Sequence, residues 1–144
     1  MASKGKVITL LDTPEKAIKN RARNLPIFKC YITDDWQESQ LTNVIVSRKH
    51  VNGNITVGMY LVDLLCLGVK DSTYIFNEPE NKALNFLYSD PNHPFIEIEY
   101  HLAHNIIFAG LEFAEELGLK PCKEFGVSQY ILEEDTDDIP LIEI

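Results

Sequence analysis

Residues 43–62, NVIVSRKHVNGNITVGMYLV, place an Asn-Gly pair between two runs rich in β-branched residues. Asn52-Gly53 supplies the two positive-φ positions that a type I′ turn requires, so the stretch reads as a β-hairpin with strands near 43–51 and 54–67. With a two-residue loop, the pairing collects Val44, Val46, Ile55, Val57, Met59 and Leu61 on one face. Arg48 and His50 lie at its far end, so the core face becomes basic at the hairpin tip.

Counting on by twos from Leu61 reaches Asp63, inside YLVDLLCLGVKD (residues 60–71), while the alternate positions Tyr60, Val62, Leu64 and Cys66 are also apolar. A strand apolar on both faces is covered on both sides, and an ionised carboxylate there is costly unless it is paired or hydrogen-bonded. Asp63 is therefore expected to be a buried structural anchor, with Lys70, Arg48 or nearby backbone N–H groups as its partners. A bulge would turn it outward instead.

Upstream of the hairpin, Thr13-Pro14-Glu15 gives a helix start with a threonine cap and a proline at the first helical position. That helix ends near Asn24, because Leu25 precedes Pro26, and it carries Lys16, Lys19, Arg21 and Arg23. IFKCYI reads as a strand and DDWQES as a turn. Downstream, Gly68 ends the second hairpin strand, STYIFN adds a short strand, and Glu78-Pro79-Glu80 opens a helix to about Tyr88. The third helix, from Tyr100 to Leu117, has Ala103, Ile106, Ile107, Gly110, Phe113, Ala114 and Leu117 on one stripe. An acidic turn, EEDTDD, precedes a final apolar strand at 139–144, whose Pro140 suits a sheet edge. The expected fold is a single α+β domain over 1–144, with 1–12 as a flexible arm. Its antiparallel sheet is built on the central β-hairpin, with a long amphipathic helix packed on one face.

At 144 residues and 45% hydrophobic content the chain suffices for one core. Its longest apolar run, Leu64 to Leu67, is far short of the ~20 residues that cross a bilayer, and the N-terminal apolar segment is too short for a signal peptide. Three cysteines without a Cys-x-x-Cys pair fit a reducing compartment, and the expected location is cytoplasmic. Charge is unevenly spread: residues 1–50 carry nine Lys/Arg and five Asp/Glu, and residues 51–144 carry four and seventeen. Such a dipole brings the two ends of a chain together or steers separate partners.

The segments RARNLPIFKCYI, NGNITVGMYLVDLLCLGVKD, HNIIFAGLEFAEELGLKP and ILEEDTDDIPLIEI resemble an uncharacterised group of bacterial proteins of the Bacteroides-like lineage, over most of the chain. The resemblance implies one continuous domain and a cytoplasmic location, and it brings no activity or catalytic residues. Members of that group run on past the equivalent of IPLIEI with a polar, glycine-rich extension, so the resemblance implies a shortened relative or a truncated chain.

The polar arc of the third helix holds His101, His104, Asn105, Glu112, Glu115 and Glu116 around one apolar residue, Phe108. Two histidines at i, i+3 supply half a metal site, and the helix cannot reach the other half. Cys66 in an apolar strand is an inert thiol. Asp63 with Lys70-Asp71 sketches a metal-dependent nuclease but matches no recognised spacing, and no phosphate-binding loop or dinucleotide fingerprint is present. No catalytic residue, metal ligand or cofactor is expected. The basic residues of the first helix and the hairpin tip, beside Tyr31 and Trp36, could instead form a patch that holds phosphates and stacks bases. The function expected is a non-catalytic interaction or regulatory protein that binds a protein partner through Arg21, Arg23, Arg48, Lys49, His50, His104 and Phe108. The alternative is an RNA- or DNA-binding accessory protein using the basic first helix and the hairpin tip, followed by a metal-dependent nuclease or hydrolase.

Overall fold

In a computed structural model that describes residues 13–65 and 68–142, the described residues open with helix α1 (Pro14–Arg21) and four strands, β1 (Ile27–Thr33), β2 (Leu41–Lys49), β3 (Ile55–Asp63) and β4 (Gly68–Glu78). There follow a one-turn helix α2 (Glu80–Ala83), strand β5 (Phe95–Ile98), the long helix α3 (Tyr100–Glu116) and a short helix α4 (Phe125–Ser128). Turns of 3-10 helix at Ala22–Asn24, Asn85–Tyr88 and Gln129–Ile131 follow α1, α2 and α4. The fold is α+β, with one five-stranded antiparallel sheet in the order β4-β3-β2-β1-β5. Four strands meander, and the chain then crosses the sheet by way of α2 to place β5 at the opposite edge.

The central hairpin closes differently from a type I′ turn. Gly53 N–H donates to the His50 carbonyl at 3.0 Å, His50 N–H donates to the Asn54 carbonyl at 2.8 Å, and Gly53 alone takes a positive φ, +89°. That is a three-residue loop ending in a left-handed glycine, and Asn52 contributes its side chain, which accepts the Asn54 N–H at 2.9 Å. The extra residue moves the register by one: Val44 faces Tyr60, Val46 faces Gly58 and Arg48 faces Thr56. A slip of one residue reassigns every side chain of one strand to the other face. Val44, Val46, Tyr60 and Val62 consequently join one core, and Ile45, Ile55 and Val57 the other, in place of the single face expected for Val44, Val46, Ile55, Val57, Met59 and Leu61.

Both faces of the sheet are covered. On one side, α1, α3, α4 and the turn after it bury Ile18, Ile106, Ile107, Phe125 and Ile131 against Val44, Val46 and Val62; on the other, Ala83, Leu84 and Leu87 cover Ile45, Ile55 and Val57. Tyr60 reaches through the first core to donate from its hydroxyl to the Ser128 carbonyl at 2.7 Å, which ties α4 to β3. The Thr13 cap is present, accepting the Lys16 N–H at 3.2 Å.

Several boundaries differ from the sequence reading. Gly68 starts β4 rather than ending the preceding strand, and β4 runs eleven residues because its other neighbours continue the pairing with β3. Residues 139–142 form no strand: Asn105 on α3 takes their backbone, donating to the Pro140 carbonyl at 2.9 Å and accepting the Ile142 N–H at 3.0 Å. Asp63 is buried at the end of β3, where it accepts from Gln40 Nε2 at 3.3 Å and from the Leu65 N–H at 3.0 Å. Arg48 cannot be its partner, since it pairs at the other end of β2. The expected arm at 1–12, Cys66 and the last two residues lie outside the described residues.

Candidate functional site

Of the seven residues proposed from sequence to bind a partner, four are engaged inside the molecule. Arg48 is 1% exposed, which removes it from the hairpin-tip surface. Its place beside Val46 on the inner face of β2 carries it under the chain that follows α4. There Nε donates to the Ile131 carbonyl at 2.6 Å and Nη1 to the Leu25 carbonyl at 2.6 Å, with Arg23 O at 3.4 Å. Nη2 lies 3.4 Å from Glu133 Oε1 and makes an ion pair without hydrogen-bond geometry. Arg23 repeats the arrangement one residue further along, with Nε donating to the Leu132 carbonyl at 2.7 Å and Nη1 3.3 Å from Glu134 Oε1. Its guanidinium also sits 5.0 Å from the centroid of Tyr130. Guanidinium forks suit this use, because their fixed donors cap the carbonyls that the 3-10 turn at Gln129–Ile131 leaves unpaired.

His104 completes the clasp. It too is 1% exposed, and its Nε2 lies 3.1 Å from the Glu133 carbonyl, which can only accept, so Nε2 carries the proton. The Glu133 N–H donates to the Tyr100 hydroxyl at 2.6 Å. Phe108 stacks on the His104 ring at 4.3 Å and packs against the core, so it is no isolated apolar residue among polar ones. The basic first third of the chain and the acidic last third thus meet, as their opposite charges allow. They meet as a closed internal contact.

Burial, the largest influence on His104, lowers its pKa from the ordinary histidine value, and the Glu133 carbonyl only partly opposes this. A histidine depressed on folding contributes stability in full above its unfolded value of about 6.5, because the unfolded chain takes up a proton below that pH and the folded chain resists doing so. The contribution is lost as the pH falls from about 6.5 toward the folded-state value. A histidine-resolved NMR titration should show His104 with a midpoint below about 6.5.

The remaining residues separate. Lys49 is exposed, with Nζ 4.6 Å from the Phe28 ring centroid. Arg21 and His50 come together on a cavity of about 330 Å³ at the hairpin tip, walled by Ala17, Ala22, Leu25 and Phe76.

For reaction chemistry the structure provides little. Burial pushes the Cys30 thiol up to about 12, which keeps it protonated and unreactive. Among the described residues, Asp71, Cys122 and Glu124 place one ligand atom each within 4.8 Å of one another, but both carboxylates are exposed and burial raises the thiol.

One surface escaped the sequence reading. Phe113 and Leu117, assigned there to the core stripe of α3, are 43% and 54% exposed, and buried His104 and Asn105 take inner positions instead. No sequence signal marked them, since Glu112, Glu115 and Glu116 fall on the polar arc and leave the stripe unbroken. Helix α3 closes in a Schellman motif, with Gly118 N–H bonded to Glu115 O and Leu119 N–H to Ala114 O, and this turns the exposed Leu119 back to the helix end. Gly68 lies against Gly110 and Ala114, so the β3–β4 turn with exposed Leu65 borders the same half of the helix. Compared with protein-family models, with curated proteins and with solved structures, the chain finds no match in any of them.

Proposed function

We propose that the protein is a non-catalytic interaction protein whose partner-binding surface is the C-terminal end of α3, with Phe113 and Leu117 as its apolar anchors. The observation that carries this reading is their exposure on a stripe whose other members, Ala103, Ile106, Ile107, Gly110 and Ala114, are buried. Singly exposed apolar side chains are ordinary. Here Phe113, Leu117 and Leu119 succeed one another at one helix end, and the exposed Glu112, Glu115 and Glu116 make the adjoining face of that end acidic. An apolar strip beside an acidic face suits a partner segment that carries apolar residues next to lysine or arginine.

The nucleic-acid alternative has less support, because Arg23 and Arg48 are engaged with carbonyls and with Glu133 and Glu134. The test is binding of an isolated partner to the parent and to the Phe113→Ser/Leu117→Ser double variant, after circular dichroism shows equal folding. Loss of two anchors should weaken binding at least about 30-fold, from about 2 kcal/mol or more for a central apolar contact. Equal binding by both proteins would exclude this surface.

A further inference from the structure

The second face of the sheet carries a groove of about 590 Å³ between β1 and the run made by α2 and the 3-10 turn after it, a size within the range of ligand sites. Ala83, Leu84 and Leu87 of that run are buried, so Asn81, Asn85 and Tyr88, at i, i+4 and i+7, share its exposed side. Leu84 and Leu87 also reach the groove and make its floor apolar, and Lys29 and Tyr31 of β1 form the facing wall. Polar atoms collect above that floor. Lys29 Nζ lies 3.5 Å from Glu80 Oε2, while the amides of Asn81 and Asn85 and the hydroxyls of Tyr31 and Tyr88 have no hydrogen-bond partner among the described residues. Tyr88 is 84% exposed and belongs to neither core.

We infer that this groove binds a pyranose unit of a neutral saccharide, its C–H face on the tyrosine rings and its hydroxyls on Asn81, Asn85 and the Lys29–Glu80 pair. A pyranose combines an apolar face with an edge of hydroxyls, each of which both donates and accepts. Tyrosine has the same two-sided character, a side-chain amide carries a donor and an acceptor together, and Lys29 donates where Glu80 accepts. Burial is the largest influence on Tyr31; Glu97, Glu80 and Tyr88 add to it against Lys29, and the hydroxyl pKa is raised, so it stays a protonated donor at neutral pH. Charge decides against a nucleotide. Among the described residues that line the groove Lys29 is the one cation, and Glu80 already balances it, so a phosphate would find no counter-charge. A wholly apolar ligand would cover the unpaired amides and hydroxyls without replacing their water. A flexible polyol would lose more conformational entropy than a ring does.

The experiment is an NMR titration of the parent protein with the methyl glycosides of glucose, galactose, mannose and N-acetylglucosamine. Glycerol, cyclohexanol and adenosine monophosphate are the controls for hydroxyls without a ring, a ring without a hydroxyl edge, and a phosphate. The expected result is saturable movement of the Asn81 and Asn85 side-chain amide resonances by at least one glycoside, with a midpoint below about 50 mM, as suits a shallow groove that covers one side of its ligand. Binding should be at least about tenfold weaker for each control and for Tyr88→Ala. Tyr88 packs in neither core, so its substitution leaves the fold intact. The proposal is overturned if no glycoside reaches such a midpoint, if any control binds as well as the best glycoside, or if Tyr88→Ala binds that glycoside unchanged. The groove lies on the opposite face of the sheet from α3, so Tyr88→Ala should bind the protein partner normally, and the two readings fail separately.

Discussion

Arg48→Ala should destabilise the protein by about 3–5 kcal/mol, the usual consequence of removing one member of a buried charged contact. The variant would strip the donors from the Ile131 and Leu25 carbonyls and leave a cavity where the largest of the fully buried side chains now sits. Each buried carbonyl left unpaired costs about 1–3 kcal/mol. For a chain of this size the fall in melting temperature would be on the order of 10–15 °C, measurable by calorimetry. The partner residue behaves otherwise. Glu133 has a side chain 41% exposed, where solvent screens the pair, so Glu133→Gln should cost under about 1 kcal/mol. A large loss for Glu133→Gln with a small one for Arg48→Ala would reverse the assignment, making the ion pair rather than the carbonyl contacts the source of stability.

The second large effect is expected at Gly68. Its φ of +66° is one that other residues adopt only with strain, and a Cβ there would fall 2.9 Å from both the Gly110 carbonyl oxygen and the Ala114 Cβ. Left-handed strain of about 1–3 kcal/mol adds to an overpacking cost of about 1–3 kcal/mol, so Gly68→Ala should lose about 2–6 kcal/mol. Gly53 separates the two contributions. It has a φ of +89° but nothing within 4 Å of a built Cβ, so Gly53→Ala should show the backbone cost alone. Equal losses at the two positions, read from urea denaturation midpoints, would mean that the approach of α3 to β4 is less tight than the structure has it.

How far the sequence could be read depends on whether the deciding interaction was local. Thr13 before Pro14 is a local signal, and its helix starts where that signal places it. Asn52-Gly53 located the hairpin but not its register, because the same pair serves a two-residue and a three-residue loop, and one residue of difference re-sorts Val44 from Ile55. Strand β5 pairs with β1 across the whole intervening sheet, a partnership that four residues with one glutamate do not announce. The fate of Arg48 shows the same limit at the candidate site. Its parity with Val46 already put it on the inner face, yet what covers that face comes from Ile131 and Glu133, more than eighty residues later. Phe113 and Leu117 fit the helical period, and the period cannot tell that the core ends before the helix does.

Residue-resolved hydrogen exchange on the parent and on Arg48→Met tests most directly the claim that the basic cluster is an internal clasp for residues 131–134 rather than a binding surface. Methionine fills much of the space and keeps no donor. The account predicts that the Glu133 amide, bonded to the Tyr100 hydroxyl, is protected in the parent and exchanges at least about a hundredfold faster in Arg48→Met, a loss of about 2.7 kcal/mol in local stability. Amides in α3 should slow or quicken by far less. A Glu133 amide that exchanges freely in the parent, or one equally protected in both proteins, would contradict it.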